Sequence, residues 1–173
     1  MKRMAPRDVL AIDDTIKPAL GRVVDVAEHA SVIGTCHVEL FDETGQLKDE
    51  RLIENLIVDV GKAAIPEQLL AAPSTHNKPT HMAIGTGSTA PAAGNTALGA
   101  EIDRNALSSK TRSTNVLTMV ANWAAGDGTN AAIAEAGVFD AASTGNLYSR
   151  ATFTAINKGA SDTLQITWTY TFG

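Results

Sequence analysis

A glycine-rich loop is the stretch of this sequence that comes nearest to a ligand-binding motif. Residues 85–90 read Gly-Thr-Gly-Ser-Thr-Ala, which fits the pattern G-x-G-x-x-A, and Glu101 and Asp103 follow downstream. In a dinucleotide-binding protein this loop follows a strand and opens a helix whose N-terminus holds the pyrophosphate. Residues 91–96 read Pro-Ala-Ala-Gly-Asn-Thr, which does not favour a helix. The pattern therefore predicts a structural glycine turn and not a nucleotide site.

Residues that could bind a metal ion or act in catalysis are scattered. The four histidines are His29, His37, His76 and His81, and the last two flank a loop without a carboxylate at ligand spacing. Residues 126–130 offer oxygen ligands but lack the register and closing glutamate of a calcium loop. The sequence has no G-x-S-x-G nucleophile elbow. We therefore expect no catalytic, cofactor-binding or metal-binding residue, and a protein that is not an enzyme.

One pair of opposite charges does stand out. If residues 140–145 form the loop between two strands, Phe139 faces Asn146, and the same register places Glu135 opposite Arg150. Opposite charges that face each other across two strands stabilise a sheet by about 0.2–1 kcal/mol. We predict a structural ion pair between Glu135 and Arg150, and a catalytic role for the pair is the alternative.

The elements that position these groups are strands, and the clearest of them is the last. Residues 163–172 alternate between apolar side chains and hydroxyl or amide side chains without interruption. Successive side chains of a strand lie on opposite faces, so this pattern predicts a β-strand with one buried face. The predicted core face consists of Leu164, Ile166, Trp168, Tyr170 and Phe172.

Other segments predict further strands and one helix. A hairpin over residues 35–53 turns at Gly45, its charged return strand is expected at a wet edge, and later strands are expected over 80–84, 116–123, 133–139 and 146–156. Residues 97–114 show no clear pattern. A short helix is predicted over about 59–71, with Asp59 as its N-cap and a break near Pro66.

These elements define the expected fold class and domain organisation. Parallel strands need helical crossovers, which the chain does not offer after residue 73, so the strands are expected to be antiparallel. We predict a mainly β protein: an antiparallel β-sandwich or barrel-like domain with one short helix. Residues 1–30 are predicted to be an extended N-terminal arm that lies on a neighbouring subunit or forms a partly ordered tail. Residues 31–173 are predicted to form a single β-rich domain.

Composition excludes several classes of partner. The 173 residues carry a net charge of −5 with an isoelectric point near 5.3, which argues against nucleic acid because phosphate binding favours a basic face. No apolar run approaches the length of a membrane span, so no membrane partner is expected. The single cysteine, Cys36, excludes an intrachain disulfide and is expected to be a small buried apolar residue.

An ordered set of segments resembles a known family. The segments are residues 55–58 leading into the predicted helix, 84–91, 95–99 with Glu101 and Arg104, 134–140, 147–153 and 161–168. Together, over about residues 50–173, they are similar to tailed-bacteriophage virion proteins of the tail fibre or tail structural type. The resemblance implies a non-enzymatic β domain of the virion that self-associates, and we expect a homotrimer with other virion proteins as partners.

Three functions follow as hypotheses. The first is a virion structural protein on the tail, such as a fibre, collar or baseplate component. The second is a capsid decoration (cement) protein, with the N-terminal arm reaching across neighbouring capsomers. The third is a carbohydrate-binding module that recognises a host surface, which would need an exposed aromatic platform. Trp123, Trp168 and Tyr170 are the candidates for that platform, and we expect all three to be largely buried.

Overall fold

The computed structural model describes residues 31–68, 74–128 and 131–173. The arm predicted for residues 1–30 lies outside the described residues, as do Thr129 and Asn130 of the turn after β5. The elements, in chain order, are β1 (Val32–Phe41), β2 (Leu47–Ile57), α1 (Asp59–Glu67), β3 (His81–Gly85), β4 (Glu101–Ser113), β5 (Val116–Trp123), β6 (Ala131–Phe139), β7 (Leu147–Lys158) and β8 (Thr163–Phe172).

The strands form a closed antiparallel barrel in the order β1–β2–β7–β6–β3–β4–β5–β8. The barrel consists of two five-stranded sheets that share their edge strands, β2 and β4. We call them the β8 sheet (β4–β5–β8–β1–β2) and the β6 sheet (β2–β7–β6–β3–β4), after their central strands. The predicted fold class, mainly β and antiparallel with one short helix, is confirmed.

Strand β8 supplies the centre of the core. Leu164, Ile166, Trp168 and Tyr170 are buried, and Cys36 of β1 lies opposite Trp168 and is equally buried. Phe172 is 36% exposed, so its assignment to the core face is wrong. The β5–β8 ladder ends at the pair Val116–Thr171, so no residue of β5 lies opposite Phe172. On the other side, β1 places only the half-buried Val32 opposite it. The Phe172 ring therefore lies beyond the packed core of the barrel.

The β1–β2 hairpin turns at Gly45, whose φ of +80° is a conformation that glycine adopts without strain. Asp42 Oδ1 accepts hydrogen bonds from the backbone N–H groups of Thr44 (2.8 Å) and Gln46 (3.0 Å) and fixes the turn. The charged stretch of the return strand is predicted to lie at a wet edge, and residues 48–51 pair only with β1 and are exposed or half-buried. Beyond them, β2 pairs with β7 through Leu56–Arg150 and Ile57–Ser149 at the end of the strand.

Helix α1 is shorter than predicted. It ends at Glu67, one residue after Pro66, and its N-cap is Val58, without a side-chain cap, instead of Asp59. Residues 69–71 of the predicted helix lie outside the described residues. A Cβ on Gly61 would lie 2.1 Å from the backbone oxygen of Tyr148, so glycine at this position lets the helix approach β7 closely.

Strand β4 is the element that the sequence did not predict. Residues 101–113 form a 13-residue strand that pairs with β3 through its first half and with β5 through its second half. It therefore belongs to both sheets and closes one side of the barrel. The β5 and β8 boundaries agree with the predicted spans.

Candidate functional site

The best-organised polar group of the described residues is the Glu135 carboxylate. Glu135 lies on β6 and its side chain projects from the barrel under the loop of residues 86–100. Oε1 accepts hydrogen bonds from the backbone N–H groups of Gly87 (3.0 Å) and Ala100 (2.6 Å), and Oε2 accepts one from Gly99 (2.9 Å). The loop thus closes over a carboxylate that belongs to the protein itself.

Arg150 of β7 completes this group. Its Nε and Nη2 donate to Glu135 Oε2 at 2.9 and 2.7 Å, and Nη1 donates to Asn95 Oδ1 at 3.1 Å. The Glu135 side chain is fully buried and that of Arg150 is nearly so. The structure therefore brings together the two residues that the sequence paired.

The predicted register of that pair is wrong. Glu135 lies opposite Thr152, and Arg150 lies opposite Gly137, so the ion pair is diagonal. Phe139 faces Leu147 instead of the predicted Asn146, and the β6–β7 ladder shifts by one more residue between Val138 and Phe139. The predicted register was counted back from the loop, so the error extends along the strand. The long Arg150 side chain spans the resulting offset and still reaches Glu135.

The electrostatics of the pair favour a permanent ionic state. Burial alone raises the pKa of Glu135, but the N–H groups of Gly99 and Ala100 and the Arg150 guanidinium outweigh it and hold that pKa below its usual range. A general acid or base needs a pKa near the working pH and contact with the group whose proton it transfers. A buried, fully bonded carboxylate of low pKa meets neither requirement, so the arrangement is suited to structure.

The G-x-G-x-x-A loop has a structural role as well. A Cβ on Gly85 would lie 2.6 Å from Glu135 Oε1, and a Cβ on Gly87 would lie 2.4 Å from the same atom. The glycines therefore let the backbone close around an anion, as in phosphate-binding loops, but here the anion is the Glu135 carboxylate. Sequence reasoning identified the turn and missed its partner, because 48 residues separate Gly87 from Glu135.

The histidines lie apart and engage carboxylates or hydroxyls. His37 lies between Glu39 (3.6 Å) and Glu50 (3.2 Å) on the outside of the β8 sheet. His76 bonds Glu67, which holds the pKa of that carboxyl down at about 2. His81 Nδ1 is hydrogen-bonded to the hydroxyl of Thr80, and His29 lies outside the described residues. Within residues 31–68, 74–128 and 131–173, no three His, Cys, Asp or Glu side chains are grouped to hold a metal ion.

The outer face of the β8 sheet is a candidate interaction surface. A row of threonines crosses four neighbouring strands, because Thr111 pairs with Thr118, Thr118 with Thr169, and Thr169 with Thr35. The Thr35 and Thr169 hydroxyls are hydrogen-bonded at 2.5 Å. Two large apolar side chains lie exposed at the β1–β2 side of this face, Ile33 (57%) and Leu52 (74%).

The three aromatic residues that were candidates for a carbohydrate-binding platform are not exposed. Trp123, Trp168 and Tyr170 are at most 5% exposed, which confirms the expectation that they are largely buried. The carbohydrate-binding hypothesis therefore loses the three side chains on which it depended.

Searches against known proteins do not identify the chain. Comparison with protein-family models, with curated protein sequences and with solved structures finds no match in any of the three. In the part of the chain that the structure describes, no helix has the length and apolar character that crossing a membrane requires.

Proposed function

We propose that the chain is a non-enzymatic structural subunit of a tailed-phage virion, part of a tail fibre, collar or baseplate, that self-associates through the outer face of the β8 sheet. The observation that carries this proposal is the composition of that face. Its strands β5 and β8 present threonine hydroxyls and the half-buried Val116 and Val120, whereas its charged side chains lie on β1 and β2. The part of the face formed by β4, β5 and β8 can meet another copy without desolvating charges.

The contrast between the two sheets also supports a packing role. The outer face of the β6 sheet is covered by the loop of residues 86–100, where Leu98 packs with Phe139 and Leu147 in a second small core. The outer face of the β8 sheet keeps half-buried and exposed side chains along every strand. A sheet face left open in this way is a natural place for contact between subunits.

The virion assignment itself rests on the family resemblance. The segments that carry it map to the loop of residues 86–100, to β6 and β7, and to most of β8. They therefore include Glu135, Arg150, Gly87 and Gly99, whose hydrogen bonds hold the β6 sheet and its covering loop together. The resemblance would then reflect a shared arrangement of these residues in the barrel.

The proposal is tested on particles and on the purified protein. Antibody labelling of phage particles is expected to place the protein on the tail, at a handful of copies per particle by quantitative gel. Hundreds of copies on the head would favour the decoration-protein alternative instead. Purified protein is expected to be a trimer by analytical ultracentrifugation. Absence from particles, together with a monomer at all concentrations, would refute the proposal.

A further inference from the structure

Two adjoining clefts open at the end of the barrel where β1 and β5 end and β8 begins. Their volumes are about 300 Å³ and about 490 Å³, and Thr163 lines both. We call them together the loop-end groove, whose principal side chains are Phe41, Asn122, Asp127, Thr163 and Gln165. We infer that this groove binds a neutral ligand rich in hydroxyl groups, such as a short oligosaccharide. This activity is additional to the proposed structural function and does not rest on it.

A chain of hydrogen bonds fixes the amide side chains of the groove. Ser108 Oγ donates its single proton to the backbone oxygen of Val120 (3.1 Å), so it accepts from Asn122 Nδ2 (2.8 Å). Asn122 therefore presents Oδ1 to Gln165, whose Nε2 donates to it at 2.9 Å. No donor among the described residues reaches Gln165 Oε1, so this oxygen can accept a hydrogen bond from a ligand hydroxyl.

The loop after β5 supplies another wall of the groove and is tied to the barrel. Gly126 N–H donates to the backbone oxygen of Ala160 at 2.9 Å, and the buried Lys158 donates through Nζ to that of Ala124 at 3.0 Å. Asp127 Oδ2 accepts from Ala124 N–H at 3.1 Å, which fixes the carboxylate beside the first cleft. A groove with walls that are already ordered binds a ligand at a lower entropy cost.

The charge of the groove disfavours anionic and purely apolar ligands. No described lysine or arginine lines either cleft, whereas Asp127 lines the first, and Asp42 and Glu43 line the second. Phosphates and carboxylates are bound by cationic side chains and N–H donors, which these clefts do not concentrate. An apolar ligand would remove Gln165 and Asp127 from water without replacing their hydrogen bonds.

Hydroxyl groups match the polar side chains of the groove. A hydroxyl both donates and accepts, so a sugar can donate to Gln165 Oε1 or Asp127 and accept from the second N–H of Gln165 Nε2. The half-buried Phe41 lines the same cleft and offers apolar surface to the C–H groups of a sugar ring. Asp42 and Asp127 already accept backbone N–H groups that stabilise their charge, so recognition does not require a cation.

The size of the groove fits more than one sugar ring. The first cleft is at the small end of the range of about 300–1,000 Å³ that is usual for small-molecule sites. The second cleft continues from it at Thr163 and is lined by further polar side chains, Asp42, Glu43 and Ser161. A ligand of two or three linked rings can therefore occupy both clefts.

Trp123 provides a local signal for binding. It lines the first cleft, and its buried Nε1 has no hydrogen-bond partner among the described residues. Trp168 is the other tryptophan of the chain, and its Nε1 is likewise buried and unpartnered, but it lines neither cleft. Binding in the groove is expected to shift the NMR signal of the Trp123 indole N–H and to leave that of Trp168 in place.

Titration of the full-length protein with linear trisaccharides of glucose, galactose, mannose and N-acetylglucosamine tests the inference. At least one is expected to bind with a Kd of about 1 mM or tighter and to shift the Trp123 signal. Gln165→Ala and Thr163→Ala are each expected to weaken that binding at least about fivefold, because each removes a hydrogen-bonding group from the groove. Thr167→Ala is the matched control, since Thr167 lies on the same face of β8 and lines neither cleft.

Each other outcome would overturn the inference. A folded protein that binds none of these sugars at about 20 mM has no such site. Binding that is unchanged in Gln165→Ala and Thr163→Ala, or that shifts the Trp168 signal alone, takes place elsewhere. Binding of a neutral sugar is expected to be equal at about 50 and about 500 mM salt, and strong salt dependence would contradict recognition through hydroxyl groups. The oligomeric state and the place on the particle enter none of these results, so the proposed function stands or falls separately.

Discussion

Five hydrogen bonds converge on the Glu135 carboxylate, three from backbone N–H groups and two from Arg150. A buried charge is tolerable only when it is paired and its remaining lone pairs are satisfied, and this site meets both conditions. The bonds fasten the loop of residues 86–100 to β6 and β7. The role of Glu135 is therefore structural, and its loss is measured as a change in the free energy of unfolding.

Replacement of Glu135 by glutamine is expected to lower the free energy of unfolding by about 3 kcal/mol, because Arg150 is left as a buried cation without a counter-charge. Urea unfolding followed by tryptophan fluorescence measures this change. Lys62→Gln is the control, since its pair with Asp59 is exposed and spans 3.9 Å, and such pairs contribute about 0–1 kcal/mol. A cost for Glu135→Gln no larger than that of Lys62→Gln would contradict the structural role.

The same carboxylate makes stability depend on pH. The folded-state pKa of Glu135 lies below the unfolded value, so its contribution is complete above about pH 5 and is lost as the pH falls below about 4. The difference in unfolding free energy between wild type and Glu135→Gln is expected to be largest at pH 7 and to shrink towards pH 3. Other acidic groups, such as Glu67, titrate in both proteins and cancel in this difference. A gap that is constant over this range would show that the charge of Glu135 is not what stabilises the site.

Residue identity alone predicted part of this site. Opposite charges on two neighbouring strands were sufficient to propose the Glu135–Arg150 pair. The three N–H donors were not predictable, because a backbone donor leaves no trace in residue type unless a glycine marks a close approach. The prediction for Phe172 was wrong for a different reason: the alternation continues to the end of β8, although the ladder with β5 stops at Thr171.

At the scale of elements, the loop of residues 86–100 is the unit that sequence patterns describe least well. Its glycines imitate a nucleotide-binding motif because both structures need backbone N–H groups close to an anion. Close approach is required at Gly87 and not at Gly94, where an added Cβ would meet nothing within 4 Å. The two positions give a matched comparison within one loop.

Gly87→Ala is expected to destabilise the protein by about 2 kcal/mol, because the new methyl group would displace the Glu135 carboxylate from its N–H donors. Gly94→Ala is expected to change stability by less than about 0.5 kcal/mol. Thermal or urea unfolding of the two variants measures the contrast. Equal effects at both positions would mean that the loop does not close on Glu135 as described.

Strand β4 shows where periodicity fails as a predictor. A strand that leaves one sheet and enters another changes the direction of its buried face along its length. In β4 the half-buried residues include Asp103, Arg104 and Asn105 in succession, and the second half is almost entirely exposed. No single alternation describes both halves. Strands β5 and β8 stay within one sheet, and their alternation predicted their spans.

At the scale of the whole molecule, the barrel is unevenly closed. Strand β8 is paired along most of its length with β1 on one side and β5 on the other. Strand β2 is paired with β1 from Leu47 to Asn55, and with β7 only through Leu56 and Ile57. Arg51 supports the rest of this junction, with its Nε donating to the backbone oxygen of Thr154 at 3.2 Å. The β2–β7 junction is therefore the weakest part of the closure.

Hydrogen exchange is expected to report this unevenness. Amides of β2 that point towards β7 between residues 47 and 54 are expected to exchange at least about 100-fold faster than those of β8, because no ladder hydrogen bond to β7 protects them. Residue-resolved exchange by NMR measures both sets. Strand β1, paired on both sides, is the internal control and is expected to behave like β8. Equal protection of β2 and β8 would show that the closure is uniform.

Fold class was predictable at this scale, whereas closure was not. Alternating strands, turn residues and the lack of crossover helices identified an antiparallel β domain. The sequence does not distinguish a sandwich from a barrel, because that choice depends on how two corner strands, β2 and β4, are shared between the sheets. The charges on β2 predicted the wet edge at residues 48–51, but not the short ladder with β7 at Leu56 and Ile57 that closes the barrel.

The first and last described residues are joined. Ser31 N–H donates to the Gly173 oxygen at 3.0 Å, and Gly173 N–H donates to the Ser31 oxygen at 2.9 Å. Tension applied between these two residues would load the β1–β8 ladder one pair at a time, as a zipper opens, instead of loading all pairs together. The domain would therefore yield at low force when pulled from this corner, and it would resist force better when loaded through other faces of the barrel.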